Sequence, residues 1–280
     1  MRSQAAAVSA IPVVVASQSP NPSFNLSNSI HMTAAAMTNS DKVIKQAFER
    51  PEWYLTKTAY NIKTRIETVK EFINGREVKS ILDIGCGDGS LSLHLLAADN
   101  CVTLLDRSKA MLEFASARVP PGACDRVRTL NGDFMAVDLP EKRYDLILCV
   151  GVLAYVENRR AFLSRLASLL TPGGMVIIEC TDGSHFITYL IRAYKSFRAK
   201  VLGGEFPTVT RPSSELLRML SELGFQTCGA FRYSLPLPGV RRLLSQGLSH
   251  GAIRFVYGTA AHNRTRWLGN ECIYHLRREG

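Results

Sequence analysis

The ten residues ILDIGCGDGS, Ile81 to Ser90, carry three glycines at alternate positions directly after a short apolar run. A phosphate-binding loop needs Lys-Ser or Lys-Thr after its last glycine. Here Ser90 follows Gly89 with no lysine beside it. A dinucleotide fingerprint, G-x-G-x-x-G, fits Gly85 and Gly87 but meets Ser90 at its third position, the remaining glycine falling at 89. The deciding residue is Asp83, an acid at the end of the apolar run. Its carboxylate repels a pyrophosphate and attracts a cation, and glycine at 85 and 87 lets the backbone approach a ligand closely.

Reading outward, strand and helix patterns alternate. SILDI (Ser80–Ile84) is a short buried strand, and GSLSLHLLA (Gly89–Ala97) is predicted as the helix after it, with His94 on its apolar face. CVTLLD (Cys101–Asp106) is a second strand, followed by the helix SKAMLEFASARV with Ser108 as its N-cap. RVRTLN (Arg126–Asn131) and YDLILCV (Tyr144–Val150) are the third and fourth strands. AFLSRLASLL (Ala161–Leu170) is a helix stopped by Pro172 and a Gly173–Gly174 turn, and MVIIEC (Met175–Cys180) is the fifth strand. A capped helix, SSELLRMLSELG (Ser213–Gly224), precedes a sixth strand, FQTCGAFRYSL, and a seventh, ECIYHLRR (Glu271–Arg278). Before the first strand, Ile62, Ile66, Val69 and Phe72 recur at helical spacing in a region that Pro51 divides in two. The alternation predicts a parallel sheet with helices on both faces and a ligand beyond the carboxyl ends of the strands.

Asp83-x-Gly85-x-Gly87-x-Gly89 resembles the first motif of the class I S-adenosylmethionine-dependent methyltransferases. LLDRSKAML (Leu104–Leu112), NGDF (Asn131–Phe134), YDLILCVGVLAYV (Tyr144–Val156) and LLTPGGMVIIE (Leu169–Glu179) resemble the family's later pieces in their proper order. The resemblance implies a Rossmann-like α/β fold: a seven-stranded, mostly parallel sheet with an antiparallel last strand, and cap insertions on the cofactor side. It implies S-adenosylmethionine as cofactor and methyl transfer to O or N of a small-molecule metabolite. Asp83 would face the ammonium end and Asp106 both ribose hydroxyls. Asp133 would accept from the adenine amino group and Phe134 would flank the ring. Cys86, Arg107, Cys149 and Val150 would complete the cofactor's surroundings. On residue chemistry alone Asp133 could instead be a turn former after Gly132. On this reading residues 41–280 form a single domain, with caps at about 181–211 and 235–268, behind an N-terminal extension (1–40) interrupted by Pro12, Pro20 and Pro22 and read as disordered.

Methyl transfer is an in-line displacement that asks mainly for alignment and exclusion of water. A general base helps a hydroxyl acceptor. Tyr155 after the fourth strand and His185 after the fifth are the candidates, with Tyr60 and Arg65 on the preceding helix as lid residues. The first cap insertion contains an amphipathic helix with Ile187, Leu190, Ile191, Tyr194 and Phe197 on one face. It is expected to pack on its own domain, a membrane surface being the alternative. The second insertion holds Arg241, Arg242, Arg254, Arg264 and Arg266 and no acid, which points to an acidic or carrier-bound acceptor.

The formal charge is +10, and residues 181–280 hold fourteen basic and six acidic side chains. That excess keeps a nucleic-acid methyltransferase as a rival reading. The fourth-strand exit, CVGVLAYV, lacks the Asn/Asp-Pro-Pro-aromatic motif of base-amino enzymes and the Pro-Cys of cytosine-C5 enzymes. A cofactor-binding protein without catalysis is the third reading. The seven cysteines are scattered without a C-x-x-C pair, which fits a reducing, cytoplasmic compartment and no zinc site.

Overall fold

The computed structural model describes residues 51–202, 210–235 and 245–279. Its centre is one seven-stranded sheet of order β3-β2-β1-β4-β5-β7-β6. The strands are β1 (Ser80–Ile84), β2 (Cys101–Asp106), β3 (Val127–Asn131), β4 (Tyr144–Cys149), β5 (Leu170–Thr181), β6 (Phe225–Tyr233) and β7 (Glu271–Arg278). The first five pair in parallel, and β7 is antiparallel to both β5 and β6. The expected fold class is the one observed, and both β2 and β7 have the bounds their patterns imply.

Period-two alternation sends successive side chains to opposite faces. Leu82, Ile84, Ile147 and Ile178 enter one core, with Phe162, Leu163 and Leu166 of α3 (Arg159–Leu169) and Leu216 and Leu220 of α5 (Ser213–Glu222). Ile81, Leu104, Leu146, Leu148 and Ile177 enter the other. That second core is closed by α1 (Pro51–Ile73), α2 (Lys109–Ala117) and α6 (Gln246–Tyr257). With both faces covered, these strands read as continuous apolar runs. The remaining helix, α4 (Phe186–Leu202), follows β5.

Three local expectations are corrected. Gly89–Ala97 is a series of turns with one 3-10 turn at Leu93–Leu95, and His94 is exposed. Polar side chains there compete for the backbone. The Ser90 N–H donates to Asp88 Oδ1 at 3.1 Å, and His94 Nδ1 lies 2.6 Å from the Ser90 carbonyl. The Pro-Gly-Gly segment lies inside β5 rather than before it. Tyr144 pairs with Leu170 and Leu146 with Met175, so the extra residues form a bulge on the β5 side. The Thr171 hydroxyl, donating to Asp145 Oδ1 at 3.0 Å, holds that bulge against β4. Finally, no side chain of its own segment caps α5; Pro212 occupies its N-cap.

The cap of α5 comes from Asp182, just past β5. Its Oδ1 accepts the Ser213 N–H at 3.2 Å and its Oδ2 the Ser213 hydroxyl at 2.8 Å. Ser184 and Arg232 also donate to this buried carboxylate. Burial alone would raise its pKa, but the Ser184 and Ser213 hydrogen bonds outweigh it and hold it at about 2. A carboxylate whose folded pKa is depressed stabilises above its unfolded value and loses that contribution as pH falls through the folded one. Asp182→Ala should therefore cost about 3 kcal/mol at neutral pH, with the deficit against wild type shrinking as pH drops from about 4 to about 2. Denaturant melts at both ends of that window check it.

Candidate active site at the strand ends

Beyond Ile84 the chain turns through Gly85 (φ +67°) and Gly87 (φ +56°), a backbone that side chains rarely adopt. A Cβ on Gly85 would also stand 2.6 Å from Val152 Cγ2, so β1 and the β4 exit can meet only with glycine there. The loop is tied across to β2. The Gly85 N–H donates to the Leu105 carbonyl at 2.8 Å, and the Gly87 N–H donates to Asp106 Oδ2, also at 2.8 Å. The other Asp106 oxygen accepts the Ser108 N–H at 2.8 Å, and Ser108 in turn caps α2. Each carboxylate oxygen keeps a second lone pair for a ligand.

These residues line one end of a cavity of about 1030 Å³, together with Cys86, Asp88, Arg107, Val150 and Tyr155. The opposite wall is formed by Asn61, Arg65, Glu179, Thr181, Leu235 and Glu271. Arg65 of α1 grips Glu179 of β5 with two hydrogen bonds, Nε to Oε1 at 2.9 Å and Nη2 to Oε2 at 2.5 Å. The buried Tyr233 hydroxyl lies 3.0 Å from Glu179 Oε1 and 2.8 Å from Asn61 Oδ1. Glu271 heads β7 opposite Thr181, whose hydroxyl donates to its Oε2 at 2.9 Å. Burial and the neighbouring Glu179 charge push the Glu271 carboxyl up to about 7.

The sequence candidates divide accordingly. Gly85, Cys86, Gly87, Asp106, Arg107, Val150, Tyr155 and Arg65 come together on the cavity. Gly89 is a turn residue packed on Leu93. Asp83 lies behind the loop, buried, accepting the Ser92 hydroxyl at 2.7 Å. Cys149 is buried in the sheet core and its thiol is pushed up by burial.

Phe134 does not face the cavity. Its ring packs in the core on Phe162, centroids 4.7 Å apart, with the Arg165 guanidinium over it. Asp133 takes the turn-forming role, its Oδ1 accepting the Met135 N–H at 2.8 Å. Tyr60 is core rather than lid, 2 % exposed. His185 is committed to its own loop: Nε2 lies 2.9 Å from the Trp267 carbonyl and Nδ1 accepts the Ile187 N–H at 3.2 Å. With both ring nitrogens engaged it is no free base, and it tethers the start of α4. Arg254 is bound to Glu67 and Glu71 of α1 and is not offered to an acidic acceptor. Arg241 and Arg242 lie outside the described residues.

Glu179 and Glu271 were not singled out from sequence. The only signal was an acid inside, or heading, an otherwise apolar strand, the same signal that marked Asp83.

Burial, and the charges of Asp106 and Asp88, raise the Asp83 pKa to about 7. An acid whose folded pKa exceeds its unfolded one keeps its proton in the fold. Stability therefore falls as pH rises from about 4 to about 7 and is level beyond. Asp83→Asn keeps an acceptor for Ser92 without the charge. Its melting temperature should gain on wild type at pH 8 relative to pH 5; an equal difference at both would contradict the buried-acid account.

The family model for a methyltransferase domain matches residues 81–174. An uncharacterised methyltransferase of Mycobacterium tuberculosis is 36% identical over 98 residues, 35% of this chain and 48% of that protein. A ubiquinone biosynthesis O-methyltransferase of Hydrogenovibrio crunogenus is 30% identical over 145 residues, 50% of this chain and 54% of the other. The chain thus spans about half the length of these curated relatives. Among solved structures, a SAM-dependent methyltransferase of Thermotoga maritima superposes with a TM-score of 0.60 at 17% identity, over 85% of this chain and 99% of that one. The matched stretch opens on the strand that feeds the Gly85 loop and closes in the β5 bulge, so residues 81–174 are similar to a methyltransferase domain and the sheet around them has the fold of a SAM-dependent methyltransferase.

Proposed function

We propose that this protein transfers the methyl group of S-adenosylmethionine to an oxygen or nitrogen of a small organic acceptor. The observation that carries this reading is a single cavity joining the Gly85–Gly87–Asp106 cradle to a wall of Glu179, Thr181 and Glu271. The residues present fit the cofactor. Asp106 has lone pairs left for vicinal hydroxyls, and the Gly85–Gly87 backbone is open to close approach. The half-buried Asp106 carboxylate at the tip of β2 makes this end of the cavity favourable to a ligand bearing a sulfonium and an ammonium. When bound, the cofactor supplies a methyl carbon already activated for displacement.

The protein's own part is to seat the acceptor, exclude water and receive its proton. Glu271 is the group suited to that last task, since a carboxyl poised near neutrality can accept a proton at working pH. The Arg65–Glu179 pair fixes the wall beside it, and Tyr155 sits at the β4 edge of the same space. An O-methyltransferase of ubiquinone biosynthesis among the relatives supports a hydroxyl acceptor. Arg254 is engaged with α1 and neither Arg264 nor Arg266 lines the cavity, so these three arginines lend no support to an acidic or carrier-bound acceptor. Seven free thiols support a cytoplasmic setting.

The test supplies methyl-labelled S-adenosylmethionine and an extract of source-cell metabolites to the purified chain. Label should enter a small organic compound; label in RNA or DNA instead would overturn the reading. With the acceptor in hand, Glu271→Gln should lower kcat by about 10²–10⁴ and remove the acid limb near pH 7, leaving cofactor affinity within a factor of about two. An unchanged pH profile would remove Glu271 from the proton-accepting role.

A further inference from the structure

The helix that follows β5 leaves most of its apolar side uncovered. Leu190, Tyr194 and Phe197 stand at i, i+4 and i+7 on α4 and face outward, Phe197 69% exposed. The inward side is held by polar bonds instead, Thr188 donating through its hydroxyl to the Asp182 carbonyl at 2.7 Å. The expectation that this face packs on its own domain is therefore corrected for Leu190, Tyr194 and Phe197, whereas Ile187 and Ile191 are half-buried. On α6, Leu248 and Phe255 share a second outward face, Phe255 80% exposed, while Ile253 and Tyr257 turn inward. Trp267, 68% exposed, sits on the 3-10 turn Arg266–Leu268. The three segments are fastened together. His185 Nε2 lies 2.9 Å from the Trp267 carbonyl, and the Thr265 hydroxyl donates to the Val256 carbonyl at 2.8 Å.

The charge around these residues has one sign. From Phe186 to Phe197 the chain carries Arg192 and Lys195 and no acid; from Ser245 to Asn270 it carries Arg264 and Arg266, besides the Arg254 that is tied inward to Glu67 and Glu71, and no acid. Exposed aliphatic and aromatic side chains interleaved with cations fit a surface that offers hydrocarbon beneath a layer of negative charge. A second copy of the chain would bring the same cations to the contact and be repelled. No helix among the described residues is long and apolar enough to cross a membrane, so the contact lies in the interface plane. We infer that α4, α6 and the Arg266–Leu268 turn form a docking face for an anionic phospholipid surface.

The cavity wall includes Thr181, five residues before α4 begins. Docking does not depend on the transfer chemistry proposed above, so the two are scored separately. The experiment is co-sedimentation of the full chain with vesicles of phosphatidylcholine alone and of phosphatidylcholine with about 30% phosphatidylglycerol, at about 0.1 M salt. Partitioning onto the anionic vesicles should exceed that onto neutral ones by at least about tenfold and weaken as salt rises. Phe197→Glu and Phe255→Glu, both on exposed positions, should each lower it several-fold with unchanged melting temperature. Lys195→Gln should lower it while leaving any residual binding to neutral vesicles unaltered. Equal partitioning onto both vesicle types, or none onto either, would overturn the inference. So would a concentration-dependent dimer, abolished by Phe197→Glu, in a chain that ignores vesicles.

Discussion

The bond on which the site depends is the Gly87 N–H donated to the Asp106 carboxylate. It joins the loop after β1 to the tip of β2 and is seconded by the Gly85 N–H on the Leu105 carbonyl. Two adjacent parallel strands thus end in one shaped edge rather than two separate loops. The left-handed backbone at Gly85 and Gly87 is what lets the chain reach Asp106 while leaving no side chain in the space above. Everything proposed for the cofactor end of the cavity follows from that edge being held open and acidic.

The cavity's two ends differ in how their charge is managed. At the β1–β2 end, Asp83, Asp88 and Asp106 are gathered with little compensation near Asp83, which is why burial raises its pKa. Asp88 is answered by Arg118, and Asp106 by backbone N–H groups. At the β5–β7 end, Glu179 is neutralised by Arg65, and Glu271 stands beside that pair with the Thr181 hydroxyl donating to it. One carboxylate is thereby locked in an ion pair and its neighbour kept near neutrality. Such divergence between adjacent acids is the usual way that a fold separates a positioning role from a proton-accepting one.

How much of this was legible follows from what each signal measures. Buried strands announce themselves as apolar runs, and each of the seven was read, although β5 begins at Leu170, five residues before the run that marked it. The segment after β1 has the apolar content of a helix, but Asp88, Ser90 and His94 bond to the local backbone and hold it in turns. The motif residues around Gly85, Gly87 and Asp106 were legible because backbone geometry forces their identity. His185 and Phe134 were misplaced because spacing after a strand fixes a residue's position along the chain, not its partner. His185 met the Trp267 carbonyl 82 residues away, and Phe134 met Phe162. Glu271 escaped notice because its role depends on Thr181 and Glu179, which only the β5–β7 pairing brings beside it. The cap helix α4 was recognised as amphipathic, but a periodicity does not say which side meets the protein.

The most direct measurement is a calorimetric titration of the purified chain with S-adenosylmethionine, run beside Asp106→Ala. The account predicts saturable one-to-one binding with a dissociation constant on the order of micromolar, weakened at least about tenfold in the variant, in which the acceptor of the Gly87 N–H and the lone pairs left for a ligand are both lost. Absence of binding to the wild-type chain, or equal binding by the variant, would contradict the claim that the β1–β2 edge is the cofactor site.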